Sequence, residues 1–153
     1  YNCIKNADQY YKTNKFIKTC LYSDHMIYSP NVPIFKDEDG NNLNTLQTVS
    51  ILTAPAVNAG VVREFEPHRI GEIEIVMKKR IDKVLSIAAE HDHKALVLGA
   101  WGCGVFKNDP GAVARYFHES ISMKYANVFQ KIVFAVYSNN KRFITPFIHY
   151  FSE

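Results

Sequence analysis

Gly99, Gly102 and Gly104 stand close together, a few residues ahead of the tripeptide Asn108-Asp109-Pro110. Residues of these types at this spacing suit one kind of chemistry, the binding of an anion by backbone. Glycines let the chain come close to a ligand, so that successive N–H groups converge on a phosphate. A helix that starts just beyond adds the positive end of its dipole. Asn108 and Asp109 are capping residue types, and Pro110 suits the first helical position. The order is G-x-x-G-x-G, so the stretch is neither the P-loop G-x-x-x-x-G-K-[ST] nor the dinucleotide fingerprint G-x-G-x-x-G. A nucleotide-like ligand fits this loop, and so does a plain turn that binds nothing.

Cys103 lies between two of the glycines near the helix start. That position lowers a thiol pKa and favours a nucleophile. A cysteine nucleophile needs a base, however, and none of His25, His68, His91, His93, His118 and His149 is placed by sequence as its partner. His91 and His93 fall where a long helix ends, which suits a C-terminal charge or cap better than a metal. Asp24 and His25 are adjacent and point to opposite sides of a strand, a poor catalytic pair. Phe106 is read two ways, as an aromatic that packs on a sugar or as a plug for the loop, and the second is the commoner use of a Phe. Trp101 reads as structural. Tyr137 ends a strand beside the loop, where stacking on a base and simple rim packing fit equally.

These residues need elements to position them. Ala95–Leu98 is a short apolar strand that feeds the glycine loop, and Pro110 to Tyr125 is a helix with Val113, Phe117 and Ile121 inward. Lys131–Ser138 is a second buried strand. Ile70 to Glu90 is a strong helix, because Ile70, Ile73, Met77, Ile81, Val84, Leu85 and Ala88 share one stripe at helical spacing. Met77 therefore belongs to the core. Upstream, residues 6–14 form a short helix with Asn6 as its cap. His25–Phe35 is an edge strand broken by Pro30 and Pro33. Asp37–Asn42 is a turn whose acidic residues do not complete a calcium loop. Thr48–Ala54 is a buried strand, and Pro55–Arg69 a long loop. The last helix, Lys141–Phe151, is interrupted near Pro146. Strands alternating with helices give an α/β fold with a mostly parallel sheet and helices on its faces. Ligands bind such sheets beyond the carboxyl ends of the strands. Gly99–Phe106, Tyr137 and Ser138 then share one rim.

The bulk properties exclude other classes. The chain has 153 residues, enough for one domain with a core. Its net charge of +3, with no basic cluster beyond Lys78-Lys79-Arg80, argues against direct nucleic-acid binding. No apolar run is long enough to span a bilayer. Cys3, Cys20 and Cys103 are odd in number and lack C-x-x-C spacing. They argue against a disulfide scaffold and a structural zinc site, and they suit a reducing, intracellular compartment. No metal and no cofactor is expected.

Four stretches in order, Tyr22–Gly40, Ser50–Gly60, Leu96–Pro110 and Phe134–Ser138, resemble the macrodomain fold and more closely the microbial-type poly(ADP-ribose) glycohydrolase family. The resemblance covers nearly the whole chain. It implies a three-layer α/β/α architecture with a mixed, mostly parallel sheet, and an ADP-ribose pocket. Gly102, Cys103, Gly104, Val105 and Phe106 would wrap the diphosphate. Phe106 would lie against the terminal ribose, and Tyr137 near the adenosine end. The implied activity is hydrolysis of ribose–ribose O-glycosidic bonds, with a glutamate as general acid and then base. The alternative is an ADP-ribose-binding module without chemistry.

The family's signature, a run of glycines followed by a Gln and two glutamates, occurs nowhere in residues 1–153. None of Glu38, Glu64, Glu66, Glu72, Glu74, Glu90, Glu119 and Glu153 has that context, so no catalytic residue is assigned within the chain. The signature and the strand before it belong upstream in the family. Tyr1 is not an initiator methionine. Residues 1–153 are therefore expected to be the C-terminal portion of one macrodomain-like domain, inactive alone and completed by an upstream segment.

Overall fold

The computed structural model describes residues 7–152. They form two compact units. One contains the described residues up to Ile17 together with Ser23–Pro55, and the other Lys18–Tyr22 together with the described residues from Ala56 onward. Asn6, the expected helix cap, lies outside the described residues, as do Tyr1, Cys3 and Glu153.

The first unit holds a helix, α1 (Asp8–Phe16), and an antiparallel hairpin of β1 (Ile27–Lys36) and β2 (Asn42–Thr53). Ala7 occupies the cap position of α1 and makes no side-chain cap bond; Asp8 in the first turn suits the helix dipole. The hairpin runs in register from Ile27 opposite Thr53 to Lys36 opposite Asn42, with irregularities after Ser29 and after Ile34. The first irregularity spans Pro30, which has no N–H for the ladder, and Asn31, whose φ is +53°. Asp37 makes the connecting turn. Its Oδ1 accepts the N–H groups of Asn41 at 2.8 Å and Asp39 at 3.0 Å, and these bonds hold its carboxyl below the usual range. The strand expected buried over Thr48–Ala54 is instead the second half of a longer strand, with Val49 and Ile51 41% and 45% exposed. Its β-branched run favours a pleated conformation, not burial on both faces.

The second unit comprises α2 (Ala59–Phe65), a 3-10 turn (Pro67–Arg69), α3 (Glu72–Glu90), β3 (Ala95–Leu98), α4 (Pro110–Lys124), β4 (Lys131–Phe134) and α5 (Lys141–Phe151). Met77, Ile81 and Leu85 of α3 share one buried hydrophobic cluster with Val113, Ala114 and Phe117 of α4 and with Val57 and Val62. The stripe read from sequence is the core face at Ile73, Met77, Ile81 and Leu85; Ile70, expected to start both stripe and helix, lies before the helix and is 44% exposed. Arg80 of α3 is buried with that face, at 1% exposure.

Three expectations are corrected in this unit. Pro55–Arg69 is not all loop, because Asn58 caps α2 by accepting the Val61 N–H at 3.3 Å. The strand expected over Lys131–Ser138 ends at Phe134, and the strands are not buried on both faces. β3 and β4 pair in parallel, Ala95 opposite Lys131 through Leu98 opposite Phe134. Leu96, Leu98 and Phe134 pack on the core, while Val97 is 76% and Val133 40% exposed. Among the described residues, no third strand joins this pair or the hairpin. Finally, α5 continues through Pro146 without a break. Proline removes one backbone donor from the helix. Phe147 and Phe151 hold the helix in place, with ring centroids 5.1 and 4.3 Å from that of Phe134.

Candidate functional site

The loop from Gly99 to Lys107 leaves the end of β3 and enters α4. Short backbone bonds wind it tightly: Trp101 N–H to Gly99 O at 2.8 Å, Cys103 N–H to Ala100 O at 3.0 Å, and Lys107 N–H to Gly104 O at 3.1 Å. Asn108 does not cap the helix as expected. Its amide is buried and donates to Val57 O at 2.7 Å and Gly102 O at 3.0 Å, so it fastens the loop to the core. Asp109 alone caps α4, accepting the Ala112 N–H at 2.8 Å, with Pro110 in the first turn.

The two inner glycines have different reasons to be glycine. Gly102 has φ +72°, and a Cβ there would lie 2.6 Å from Ala56 Cβ and 2.6 Å from Asn108 Nδ2. Its missing side chain is a requirement of the fold. At Gly104 a Cβ would meet nothing within 4 Å. The space beside Gly104 is open to a ligand. Among the described residues, the N–H groups of Gly104, Val105 and Phe106 have no protein acceptor. Three consecutive free donors beside an open glycine are the backbone groups from which an anion cradle is made.

A cleft of about 380 Å³ opens next to this cradle. Its lining brings Cys103 and Gly104 together with Tyr137 and Ser138 from beyond β4, and with Ala100 and Phe143. Gly102, Val105 and Phe106 do not line it. Gly102 faces the core, Val105 is 89% exposed, and Phe106 is half-buried with its ring 5.9 Å from that of Tyr22. Tyr137 is fully exposed. Phe143 and Tyr22 escape the sequence reading. Phe143 was findable as an aromatic three residues past the Asn140 cap of α5. Tyr22 carries no sequence signal.

The electrostatics exclude two chemistries for the chain's own groups. Burial pushes the Cys103 thiol up to about 12, Asp109 adds to the rise, and Arg142 opposes it. This is opposite to the lowering expected beside a helix start, and Cys103 is no thiolate nucleophile. Glu66 accepts the Cys20 N–H at 2.7 Å and the Thr19 hydroxyl, and these bonds hold its carboxyl below the usual range. It fastens the Thr19–Tyr22 turn and is spent as a structural anion. Glu74 and Glu119 are lowered by Lys78, which lies 2.8 and 2.9 Å from them between α3 and α4. No glutamate among the described residues lines the cleft. Among the described residues, no group of three or more His, Cys, Asp or Glu is placed to hold a metal ion. No helix among the described residues is long and apolar enough to cross a membrane.

Comparison with known proteins points to one family. A family model described as microbial-type PARG, catalytic domain, matches residues 1–37. Poly(ADP-ribose) glycohydrolase from Deinococcus radiodurans in complex with ADP-ribose is similar in structure, with 41% sequence identity and a TM-score of 0.89, over 94% of this chain and 58% of that one. The enzyme from Thermomonospora curvata has 38% identity and a TM-score of 0.87, over 97% of this chain and 55% of that one. The chain is similar to the microbial-type poly(ADP-ribose) glycohydrolases over almost all of its own length. Its α/β fold is theirs. The Deinococcus enzyme in its apo form matches as well, with 41% identity, a TM-score of 0.87, and 94% and 59% of the two chains covered. The chain thus spans less than two thirds of the length of each of these glycohydrolases. Among curated proteins, none matches the sequence.

Proposed function

We propose that this chain is the ADP-ribose-binding part of a poly(ADP-ribose) glycohydrolase, an enzyme that hydrolyses ribose–ribose O-glycosidic bonds. The observation that carries the reading is the cradle of free N–H groups at Gly104, Val105 and Phe106, opening at a glycine with empty space beside it. The solved Deinococcus relative, at 41% identity, is a complex with ADP-ribose. In this reading the Gly102–Phe106 loop wraps the diphosphate, the free N–H groups of Gly104, Val105 and Phe106 donate to it, and the α4 dipole adds to the attraction. Phe106 lies against the terminal ribose and Tyr137 near the adenosine end.

The general acid comes from polypeptide outside residues 1–153. Glycoside hydrolysis needs a carboxylic acid to protonate the leaving oxygen. Glu66 is held ionised by its own fold contacts, and among the described residues no glutamate lines the cleft. The second reading, a binding module without chemistry, is favoured by that same empty position. Incubation with poly(ADP-ribose) separates the two. The isolated chain releases no ADP-ribose, and release begins when the remaining segment, homologous to the unmatched part of the bacterial glycohydrolases, is added or fused. Release by the chain alone contradicts the placement of the acid. No release after complementation supports the binding module.

A further inference from the structure

The turn that Glu66 fastens contains an aromatic residue in an uncommon backbone conformation. Tyr22 has φ +59°, in the left-handed region that bulky side chains seldom adopt. Such strain persists only where the surroundings hold it, and it clusters at functional sites. Three contacts hold Tyr22. Its N–H donates to Thr19 O at 3.2 Å. Its carbonyl accepts from Arg80 Nη2 at 2.9 Å, and Arg80 is only 1% exposed. Withdrawing that carbonyl would remove a partner from a buried charge, which is strongly unfavourable. Its ring lies 5.9 Å from the Phe106 ring, tilted by 36°.

Phe106 closes the run of free N–H groups, and its carbonyl accepts the Gly60 N–H at 2.9 Å. Contacts therefore run without a gap from α3, through Arg80 and Tyr22, to the last residue of the cradle. We infer that Tyr22 is a positioning residue for the ADP-ribose site. Its ring covers one side of Phe106, so that Phe106 keeps its other side for the ribose and the N–H groups of Gly104–Phe106 stay convergent. The strained φ is the consequence of placing the ring there while the carbonyl faces Arg80. This inference rests on the loop being the ADP-ribose site. The requirement is for a flat ring; the hydroxyl takes no part.

The test uses the whole chain and three variants, Tyr22→Phe, Tyr22→Asn and Tyr22→His. Asn and His tolerate positive φ, so neither adds backbone strain. Hydrogen–deuterium exchange of residues 99–107 without ligand reads the loop, and calorimetry with ADP-ribose reads the site. Tyr22→Phe should keep both values, with affinity within about twofold of wild type, whereas Tyr22→Asn should speed exchange in the loop and weaken ADP-ribose by about tenfold or more. If the Asn variant does not fold, Tyr22→His decides, since it retains a ring and should stay within about fivefold. Unchanged exchange and affinity in Tyr22→Asn overturn the inference. So does a Tyr22→Phe variant as weak as Tyr22→Asn, or a folded Tyr22→His variant that binds no better. A wild-type chain that binds no ADP-ribose overturns the proposed function instead, and the exchange measurement still shows whether Tyr22 holds the loop.

Discussion

Gly102 and Gly104 stand two residues apart and separate fold from function. Gly102 combines φ +72° with contacts that leave no room for a Cβ. Gly102→Ala should lower stability by about 1–3 kcal/mol, read as a fall in melting temperature. Gly104 has open space around it. Gly104→Val should leave stability within about 0.5 kcal/mol of wild type, because it touches nothing in the protein. The same change fills the approach to the N–H groups and should abolish ADP-ribose binding. A Gly104→Val chain with wild-type affinity would remove the ligand from this loop. Cys103 adds a prediction in pH. Its thiol ionises near 9 when unfolded and near 12 when folded. The folded state therefore favours the neutral thiol; that stability is complete below about pH 9 and is lost as pH rises toward 12. Cys103→Ala should flatten stability between pH 9 and 11 in chemical denaturation. An unchanged slope there would contradict the burial argument.

At the scale of elements, the join between loop and α4 is made by two adjacent residues with separate tasks. Asp109→Ala removes only the cap and should lower stability by about 0.5–2 kcal/mol with ADP-ribose affinity kept. Loss of affinity equal to that of Gly104→Val would show that the cap also shapes the cradle. The sequence pair Asn108-Asp109 announced a cap, and the choice between them was invisible, because Asn108 is claimed by Val57 and Gly102, remote carbonyls that only the folded loop supplies. Elements with their own period were legible: α3 carries Met77, Ile81 and Leu85 inward as the stripe requires. Elements decided by tertiary contacts were not. Arg80 lies inside that stripe's burial because it bonds Tyr22 O, and α5 passes Pro146 because Phe147 and Phe151 anchor it. β2 and β3 read as buried from their apolar residues, yet exposure depends on what covers a sheet. The rim of the candidate site was legible in Gly104, Tyr137 and Ser138, since the ends of adjacent parallel strands bring their loops together. Tyr22 was not, because a positive φ at a tyrosine leaves no trace in composition or spacing.

At the scale of the molecule, the β3–β4 pair carries the argument for completion. Parallel strands normally have both faces covered. Here Val97 and Val133 lie exposed on one face, and the matched glycohydrolases are longer than this chain. The segment that supplies the general acid is expected to cover that face. Val97→Asp should then block reconstitution of glycohydrolase activity while leaving the isolated chain folded; full reconstitution would place the added segment elsewhere. With or without that segment, residues 1–153 are expected to hold the ADP-ribose site. Isothermal titration of the wild-type chain with ADP-ribose, beside Gly104→Val of equal melting temperature, tests it most directly. Saturable one-to-one binding by the wild type, lost in the variant, is the predicted result. Equal heats from both chains, or none from the wild type, would contradict it.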